Sequence, residues 1–299
     1  MNVRSFVTVL SMVAATVALS GVPPAPSAQG GGDQPFPTFK GVYFGQAAPG
    51  MVPQRFAPGF VSTAGYDITP TFSPALDEVF FGHRSTEEGS DNKIYHARMV
   101  NGRWTQPALA SFASGGMEFE AQFSVDGDTL YFNRGSALVF SQRTPTGWSE
   151  ARSIEPPADR GMCVAAASNG TLYFTSARRP AIVGSARVNG QYQAPAVVVS
   201  PGAHPWVAPD ESYLVFDRYA FAGGRQTGSK LFVSFRRKDE SWSEPVELGP
   251  DINATGTELI PKVSPDGKYL FFQRKVDGNT DIYWVDARVI GALRPKDLR

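Results

Sequence analysis

Cysteine is almost absent from this chain, because Cys163 is the only one in 299 residues. A single cysteine excludes an intrachain disulfide, so the fold has to be held together by burial of apolar surface. With 42% apolar residues, including 21 Phe, the chain can build a large core. Cys163 falls on a predicted inner strand of an apolar repeat. A buried, unreactive thiol is the usual state there, and we do not expect it to be a nucleophile.

An excess of charge of either sign is missing too. Lys plus Arg number 28, and so do Asp plus Glu. No net field therefore attracts the protein to nucleic acid or to an anionic membrane, and neither is an expected partner.

Sequence signatures of catalysis are also missing. The chain contains no GxSxG, no HExxH and no glycine-rich phosphate loop. Its three histidines, His83, His96 and His204, show no metal-ligand spacing. The sequence therefore predicts more about the fold than about an activity.

Long apolar runs are limited to the N-terminus, where residues 6–19 follow Arg4. This run is shorter than the ~20 residues that a membrane span needs. Small and proline-rich residues follow it, which is typical of a secretory signal peptide. We predict a signal peptide over residues 1–27, cleaved after Ser20 or Ser27, and a flexible linker over residues 28–42. An uncleaved anchor helix is the alternative. The predicted location is periplasmic or secreted.

A repeated sequence pattern occupies most of the remaining chain. Its five copies are PTFSPALDEVFF (70–81), AQFSVDGDTLYF (121–132), AAASNGTLYF (165–174), PWVAPDESYLVF (205–216) and PKVSPDGKYLFF (261–272). The serine or alanine before each turn recurs at spacings of 51, 43, 41 and 56 residues. Self-similarity at this period is typical of β-propeller blades.

Each copy predicts a β-hairpin. A short alternating strand leads to an Asp-Gly or Asn-Gly turn and then to a nearly continuous apolar strand. Third strands are expected over residues 93–100, 137–143, 230–236 and 281–287, and fourth strands over residues 102–110, 147–154, 190–198 and 241–248. Four strands per unit without a helical pattern describe a propeller blade.

The two chain ends complete each other in this scheme. The last unit has no fourth strand, whereas residues 53–73 parallel residues 244–264. We therefore predict an all-β propeller of four-stranded blades over residues 43–299, with five blades and a ring closed by an N-terminal outer strand. A sixth blade built from residues 39–61 is the alternative.

The FSPDG-x-x-LYF pattern, with DIY and GxWSxP downstream, resembles the WD40-like β-propeller repeat of the TolB type. Residues 43–63 resemble the start of a group of exported bacterial propeller proteins of mostly uncharacterised function. The resemblance covers about residues 43–289. It implies a propeller that docks a protein or peptide. The copies SPALD and AAASNG depart from the pattern, so the first and third blades are expected to be less regular.

Candidate functional residues are expected where the innermost strands begin, at the channel mouth. Counting back six and four residues from the repeated serine or alanine gives two registers, which contain Asp67, Glu118, Glu120, His204 and Glu258. Such a ring could bind a ligand, hold a divalent cation or act as acid and base, with Glu118, Glu120, Glu258 and His204 as candidate catalytic residues. Alternatively, these side chains satisfy nearby backbone N–H groups.

Two further patterns have simpler interpretations. An arginine follows each aromatic burst: Arg84, Arg134, Arg178, Arg218 and Arg274. We predict that these arginines pair structurally with acids of the turns, such as Asp126, Asp210 and Asp266. An anion-binding ring of arginines is the alternative. Asp277, Asn279 and Asp281 alternate like the ligands of a calcium loop but lack its terminal glutamate, which favours a plain hairpin.

Two functions remain open from the sequence. The first is an exported, monomeric binding module for a protein or peptide, with no cofactor beyond the channel cation. The second is a hydrolase acting on a carbohydrate or small ester at the channel mouth.

Overall fold

The computed structural model describes residues 38–87 and 89–298. The predicted signal peptide and the linker as far as residue 37 lie outside the described residues. Within the described part, none of the helices has the length and apolar character that crossing a membrane requires.

The described chain is almost entirely β. Five consecutive units of antiparallel strands, here called units one to five, contain the five sequence repeats. Within a unit the first three strands pair in chain order, and in units one to four a later strand pairs with the third strand on its outer side.

The strand bounds follow the predicted pattern closely. The segment before unit one contains β1 (Gln54–Arg55). Unit one contains β2 (Tyr66–Phe72), β3 (Glu78–Arg84), β4 (Lys93–Val100), β5 (Arg103–Trp104) and β6 (Ala108–Leu109). Unit two contains β7 (Glu118–Phe123), β8 (Thr129–Arg134), β9 (Ala137–Thr144), β10 (Gly147–Trp148) and β11 (Arg152–Ser153).

The later units have the same plan. Unit three contains β12 (Gly161–Ala166), β13 (Leu172–Ser176), β14 (Ile182–Ser185), β15 (Arg187–Val188), β16 (Gln191–Tyr192) and β17 (Ala196–Val199). Unit four contains β18 (Ala203–Val207), β19 (Tyr213–Ala222), β20 (Arg225–Phe235) and β21 (Val246–Glu247). Unit five contains β22 (Leu259–Val263), β23 (Tyr269–Val276) and β24 (Asn279–Asp286). Short helical turns occupy Val42–Gly45 and Lys296–Leu298, and helix α1 spans Arg288–Ala292.

The repeated serine has a local structural role. Ser124 Oγ donates to Asp126 Oδ1 at 2.6 Å and accepts the backbone N–H of Thr129 at 2.9 Å. Gly127 takes a φ of 80° in this turn, a conformation that glycine adopts without strain. In the first copy, Ser73 accepts the N–H of Glu78 in the same way, at 3.1 Å. The departure SPALD therefore preserves the hairpin.

The N-terminal segment joins the last unit. Strand β1 pairs with β24, with Gln54 opposite Trp284 and Arg55 opposite Tyr283. Residues 39–61, the alternative sixth blade, contribute only β1 and the turn at Val42–Gly45. Lys40 forms a bridge with Arg103, so contacts with unit one begin inside the predicted linker.

The core lies in layers between neighbouring units rather than in one central mass. Apolar clusters join units one and two, two and three, three and four, and four and five. Between units five and one, Phe56 and Trp284 are fully buried against Phe72 and Phe271. Burial of each such ring stabilises the fold by about 1.5–3 kcal/mol.

The innermost strands contact one another in order around a common axis. Strand β2 contacts β7, β7 contacts β12, β12 contacts β18, β18 contacts β22, and β22 contacts β2. Side chains from five separate repeats are therefore brought to one axis.

Candidate functional site

Every innermost strand carries a β-bulge at the same place. The register shifts between residues 68 and 71, 119 and 122, 162 and 165, 203 and 206, and 259 and 262. In four of the five strands the bulge contains a left-handed residue that is not glycine: Glu120 (φ 59°), Cys163 (58°), His204 (47°) and Ile260 (51°). Left-handed backbone costs such residues about 1–2 kcal/mol each, and recurrent strain of this kind is typical of functional sites.

Side chains of the preceding unit hold three of these bulges. Asn133 Oδ1 accepts the N–H of Cys163 at 2.8 Å, and Thr175 Oγ1 accepts that of His204 at 2.9 Å. Asp217 Oδ1 accepts the N–H of Ile260 at 3.1 Å. All three acceptors occupy one position of the repeat, directly after the apolar burst of the second strand. Each unit therefore positions the bulge of the next.

The bulges bring Glu120, Cys163 and His204 together from units two, three and four. One ligand atom of each lies within 4.8 Å of the others, and all three side chains are buried. His204 Nε2 is 3.5 Å from Glu120 Oε1 and 3.4 Å from the hydroxyl of Tyr219. Thiol, imidazole and carboxylate are all groups that ligate metals.

Asp217 orients the imidazole of His204. Its Oδ1 lies 2.7 Å from His204 Nδ1, and its side chain is fully buried. Burial alone opposes the charged imidazolium, but the carboxylates of Asp217 and Glu120 outweigh it and raise the pKa of His204 to about 9. The imidazole is therefore protonated at neutral pH, with Nε2 directed at Glu120.

Lys262 of unit five completes the cluster. Its Nζ donates to the carbonyl oxygens of Thr69, at 3.1 Å, and Ala121, at 2.5 Å. Burial lowers the pKa of Lys262 to about 8, against the opposing effect of Glu120. Burial, followed by the charge of Glu120, raises the pKa of the Cys163 thiol well above its usual value. Cys163 is therefore a neutral thiol in this structure.

Two carboxylate oxygens of the cluster lack a partner. Glu120 Oε2 and Asp217 Oδ2 are buried without a hydrogen bond among the described residues. Buried polar atoms rarely lack a hydrogen-bond partner, because each unpartnered atom lowers the stability of the fold by about 1–3 kcal/mol.

A small cavity adjoins these side chains. It measures about 10 Å³, roughly the space of one water molecule, and Glu120, Cys163, His204, Ile260 and Lys262 line it.

Gln122 and Lys262 also line a wider depression of about 90 Å³ at the turn ends of the innermost strands. Residues from all five units surround this depression, here called the funnel, among them Phe72, Pro74, Phe123, Val125, Ala166, Trp206, Pro209 and Pro265.

Three of the predicted site residues lie elsewhere. Asp67, Glu118 and Glu258 are fully buried, and each carboxylate accepts hydrogen bonds from the loop before its strand. Their oxygens also pair with His83 at 2.9 Å, Arg134 at 2.8 Å and Arg274 at 3.0 Å, in the same order. These three acids therefore match the alternative interpretation from the sequence, in which such side chains satisfy nearby backbone N–H groups. Only Glu120 and His204 of the five predicted residues meet in the cluster.

The predicted partners of the arginines are corrected by these contacts. Arg134 and Arg274 pair with Glu118 and Glu258, not with turn acids. The physical reason is register: Glu118 lies directly opposite Arg134, whereas the turn is at the other end of the strand. Arg218 donates to the carbonyl of Pro201, and Arg84 lies over the ring of Tyr66.

The turn acids have other roles. Asp126 accepts hydrogen bonds within its own turn, as does Asp210. Asp266 does the same and also accepts the hydroxyl of Tyr43 at 2.8 Å.

The residues of the weak calcium pattern form a plain hairpin between β23 and β24. Asp277 and Gly278 take φ values of 50° and 88°, Asn279 donates to the carbonyl of Thr63, and Asp281 pairs with Arg55 at 2.7 Å. Asn279 and Asp281 therefore serve separate contacts.

Asp217, Lys262 and Tyr219 are cluster residues that sequence reasoning missed. For Asp217 a signal existed, because one position after each apolar burst holds Gly82, Asn133, Thr175, Asp217 or Gln273. These residues differ in chemistry and share only their place in the repeat.

Comparison with known proteins supports the fold class but assigns the chain to no family. No protein-family model and no curated protein matches the chain. A hydrolase of family GH62 in complex with xylotriose is similar in structure, with a TM-score of 0.51 and 9% identity over 81% of this chain and 98% of that one. An α-L-arabinofuranosidase from Podospora anserina in complex with cellotriose has a TM-score of 0.50 and 9% identity, covering 79% and 97%.

TolB from Acinetobacter baumannii is also similar, with a TM-score of 0.47 and 15% identity over 75% of this chain. The chain spans about half of that TolB, 52% of its length. The neighbours have propeller-type folds, and at these identities the likenesses concern the fold alone.

Proposed function

We propose that units one to five are the blades of a five-bladed propeller, with β1 as the outer strand that closes the ring. Support comes from the contacts of the innermost strands, which return from β22 to β2, and from the pairing of β1 with β24. A ring closed in this way leaves only the short outer strands as sheet edges along which chains could aggregate.

We further propose that this propeller is an exported binding module that takes a protein or peptide segment in the funnel. The observation that carries the proposal is the composition of the funnel: all five units contribute, and eight of its 17 lining residues are prolines or aromatic residues. Such rings recognise apolar side chains of a partner with little loss of conformational entropy. Val125, at the rim, is 40% exposed and available for contact.

The occupant we infer is an extended segment with an apolar side chain at its tip. Twelve of the 17 residues that line the funnel are apolar, and the polar ones are Thr71, Gln122, Ser124, Lys262 and Ser264. An apolar side chain therefore packs between the prolines, while backbone groups of the segment meet the polar side chains. Affinity comes from apolar burial, and orientation from the polar side chains.

A matched pair of variants tests this function. Val125→Glu places a charge at the funnel rim, and Val188→Glu places the same charge on the hairpin β15–β16, where Val188 is 50% exposed. A photo-cross-linking residue at position 125 is used to capture partners from envelope and culture fractions of the source organism. Binding of the purified partner is then measured by calorimetry. We expect Val125→Glu to weaken binding at least tenfold and Val188→Glu to leave it unchanged. Equal binding by both variants contradicts the funnel as the site.

The hydrolase is the second proposal, and the site supports it less. Of its four candidate catalytic residues, Glu118 and Glu258 hold Arg134 and Arg274 and are fully buried. Glu120 and His204 are the remaining acid–base pair. Turnover of aryl glycosides or esters by the native chain, abolished by Glu120→Gln, would favour this function over the first.

A further inference from the structure

We propose that Glu120, Cys163 and His204 form a binding site for Zn²⁺ on the axis of the propeller. Thiolate, imidazole and carboxylate together favour zinc, because calcium and magnesium prefer oxygen ligands alone. The site is independent of the funnel as a docking surface, so either proposal can fail without the other.

The distances suit zinc after a small movement. Tetrahedral zinc with bonds of about 2.0–2.3 Å needs ligand atoms about 3.3–3.6 Å apart. His204 Nε2 and Glu120 Oε1 are already 3.5 Å apart. The sulfur of Cys163 lies within 4.8 Å of the other two ligand atoms and has to approach by about 1 Å.

The surroundings of His204 match those of a metal ligand. Metal-binding histidines usually donate their second ring N–H to a carboxylate, which fixes the tautomer and the orientation of the ring. Asp217 accepts from Nδ1 at 2.7 Å and so leaves Nε2 for the ion, beside Glu120 Oε1 at 3.5 Å and the hydroxyl of Tyr219 at 3.4 Å.

An independent observation comes from the polar atoms that lack partners. Glu120 is 6% exposed, and its Oε2 has no hydrogen bond within the described part of the chain. Glu120, Cys163 and His204 all line the small cavity, so an ion bound there would lie beside this carboxylate. The left-handed bulges, which cost backbone energy, are what turn the three side chains to one point.

Binding of zinc requires Cys163 as its thiolate and His204 with Nε2 free of a proton, and it replaces the contact between Nε2 and Glu120 Oε1. A purely structural network, in which Lys262 and His204 neutralise the two carboxylates, is the competing interpretation that the experiment has to separate.

The experiment measures metal on the full-length mature chain. The protein is treated with a chelator, dialysed and titrated with Zn²⁺ against a chromophoric competitor, and in parallel with Co²⁺ for spectroscopy. We expect one equivalent of Zn²⁺ and a cobalt spectrum with a thiolate charge-transfer band. Cys163→Ser should lose that band and bind zinc at least 100-fold more weakly. Asp217→Asn should bind zinc about 10–100-fold more weakly, as loss of such an outer carboxylate usually does.

His96→Gln serves as the matched control, because His96 pairs with Glu78 away from the axis; it should bind zinc like the native chain. Circular dichroism checks that each variant is folded. The native titration needs no variant and decides the matter by itself. Binding of less than a tenth of an equivalent overturns the proposal, as does a cobalt spectrum that Cys163→Ser leaves unchanged.

Discussion

Glu78 joins two neighbouring units, and its removal is a quantitative test of how the ring is held. Its carboxylate lies at the start of β3 in unit one. There it meets His96 Nε2 at 2.7 Å, Arg143 Nη2 at 2.7 Å and Trp148 Nε1 at 2.9 Å. Arg143 and Trp148 belong to unit two. The substitution Glu78→Gln keeps the size of the side chain and removes the charge that these partners share.

The expected magnitude follows from the pKa of Glu78. Burial by itself raises this pKa, but hydrogen bonds from His96, Trp148 and Arg143 outweigh it and lower the pKa from 4.5 to about 2. A difference of about 2.5 pH units corresponds to about 3.4 kcal/mol. We reduce this to about 2 kcal/mol, because the side chain of Arg143 is 38% exposed and solvent screens its pair.

The sign of the pH dependence is fixed by this direction. A carboxyl with a lowered pKa in the folded state stabilises the fold above its unfolded pKa of about 4.5 and loses that effect as the pH falls toward about 2. Glu78→Gln should therefore lower the free energy of unfolding by about 2 kcal/mol at pH 7, and the gap to the native chain should narrow below pH 4.5.

Urea unfolding followed by tryptophan fluorescence at pH 7, 5 and 3.5 measures this gap. Glu150→Gln is the control, because Glu150 is exposed on the same unit as Arg143. A gap that stays constant down to pH 3.5, or an equal gap for the control, would refute the reasoning.

Three further predictions concern other parts of the chain. Arg274→Ala should lower the free energy of unfolding by about 3–5 kcal/mol, measured by thermal unfolding, because it leaves Glu258 as a buried charge without its partner. Adding Glu258→Gln to the same chain should restore a part of this loss. Tyr43→Phe removes the hydroxyl that donates to Asp266 and should cost about 1–2 kcal/mol, measured by urea unfolding; no change would mean that the N-terminal segment does not stabilise unit five. N-terminal sequencing of the exported protein should begin at Gly21 or Ala28, and a sequence that begins at Met1 would contradict the signal peptide.

The fold was largely predictable because its determinants are local. An Asp-Gly turn after a serine specifies a hairpin through side-chain bonds within five residues, as at Ser124 and Thr129. The pairing of β1 with β24 also left a trace, since residues 53–73 resemble residues 244–264. Strand β5 and the hairpin of β15 and β16 were not predicted as separate strands, because each of these strands has only two residues.

The site was predictable only in part, because β-bulges are silent in sequence. Glu118 and Glu120 are two residues apart and share a face in a regular strand. The bulge falls after Phe119, so Glu118 remains opposite Arg134 while Glu120 turns to the axis. Counting back from the serine could not separate these two registers. Asp217 was missed because its bond to His204 joins neighbours within a unit across another bulge.

The junction between units one and two differs from the three junctions that follow it in a way that bears on the cluster. Asn133, Thr175 and Asp217 each accept the N–H of the next bulge, so the backbone of Cys163, His204 and Ile260 is held by a side chain. In unit one this position is Gly82, which has no side chain to accept a hydrogen bond. A Cβ at Gly82 would also lie 2.8 Å from the Cβ of Ile68, so the unit cannot acquire an acceptor without repacking. Glu120 is thus the member of the cluster whose backbone the preceding unit constrains least, and its carboxylate also has a free oxygen. An adjustment of the backbone toward a ligand is therefore expected to begin at Glu120, while the backbones of Cys163 and His204 keep their places and only the side chain of Cys163 moves.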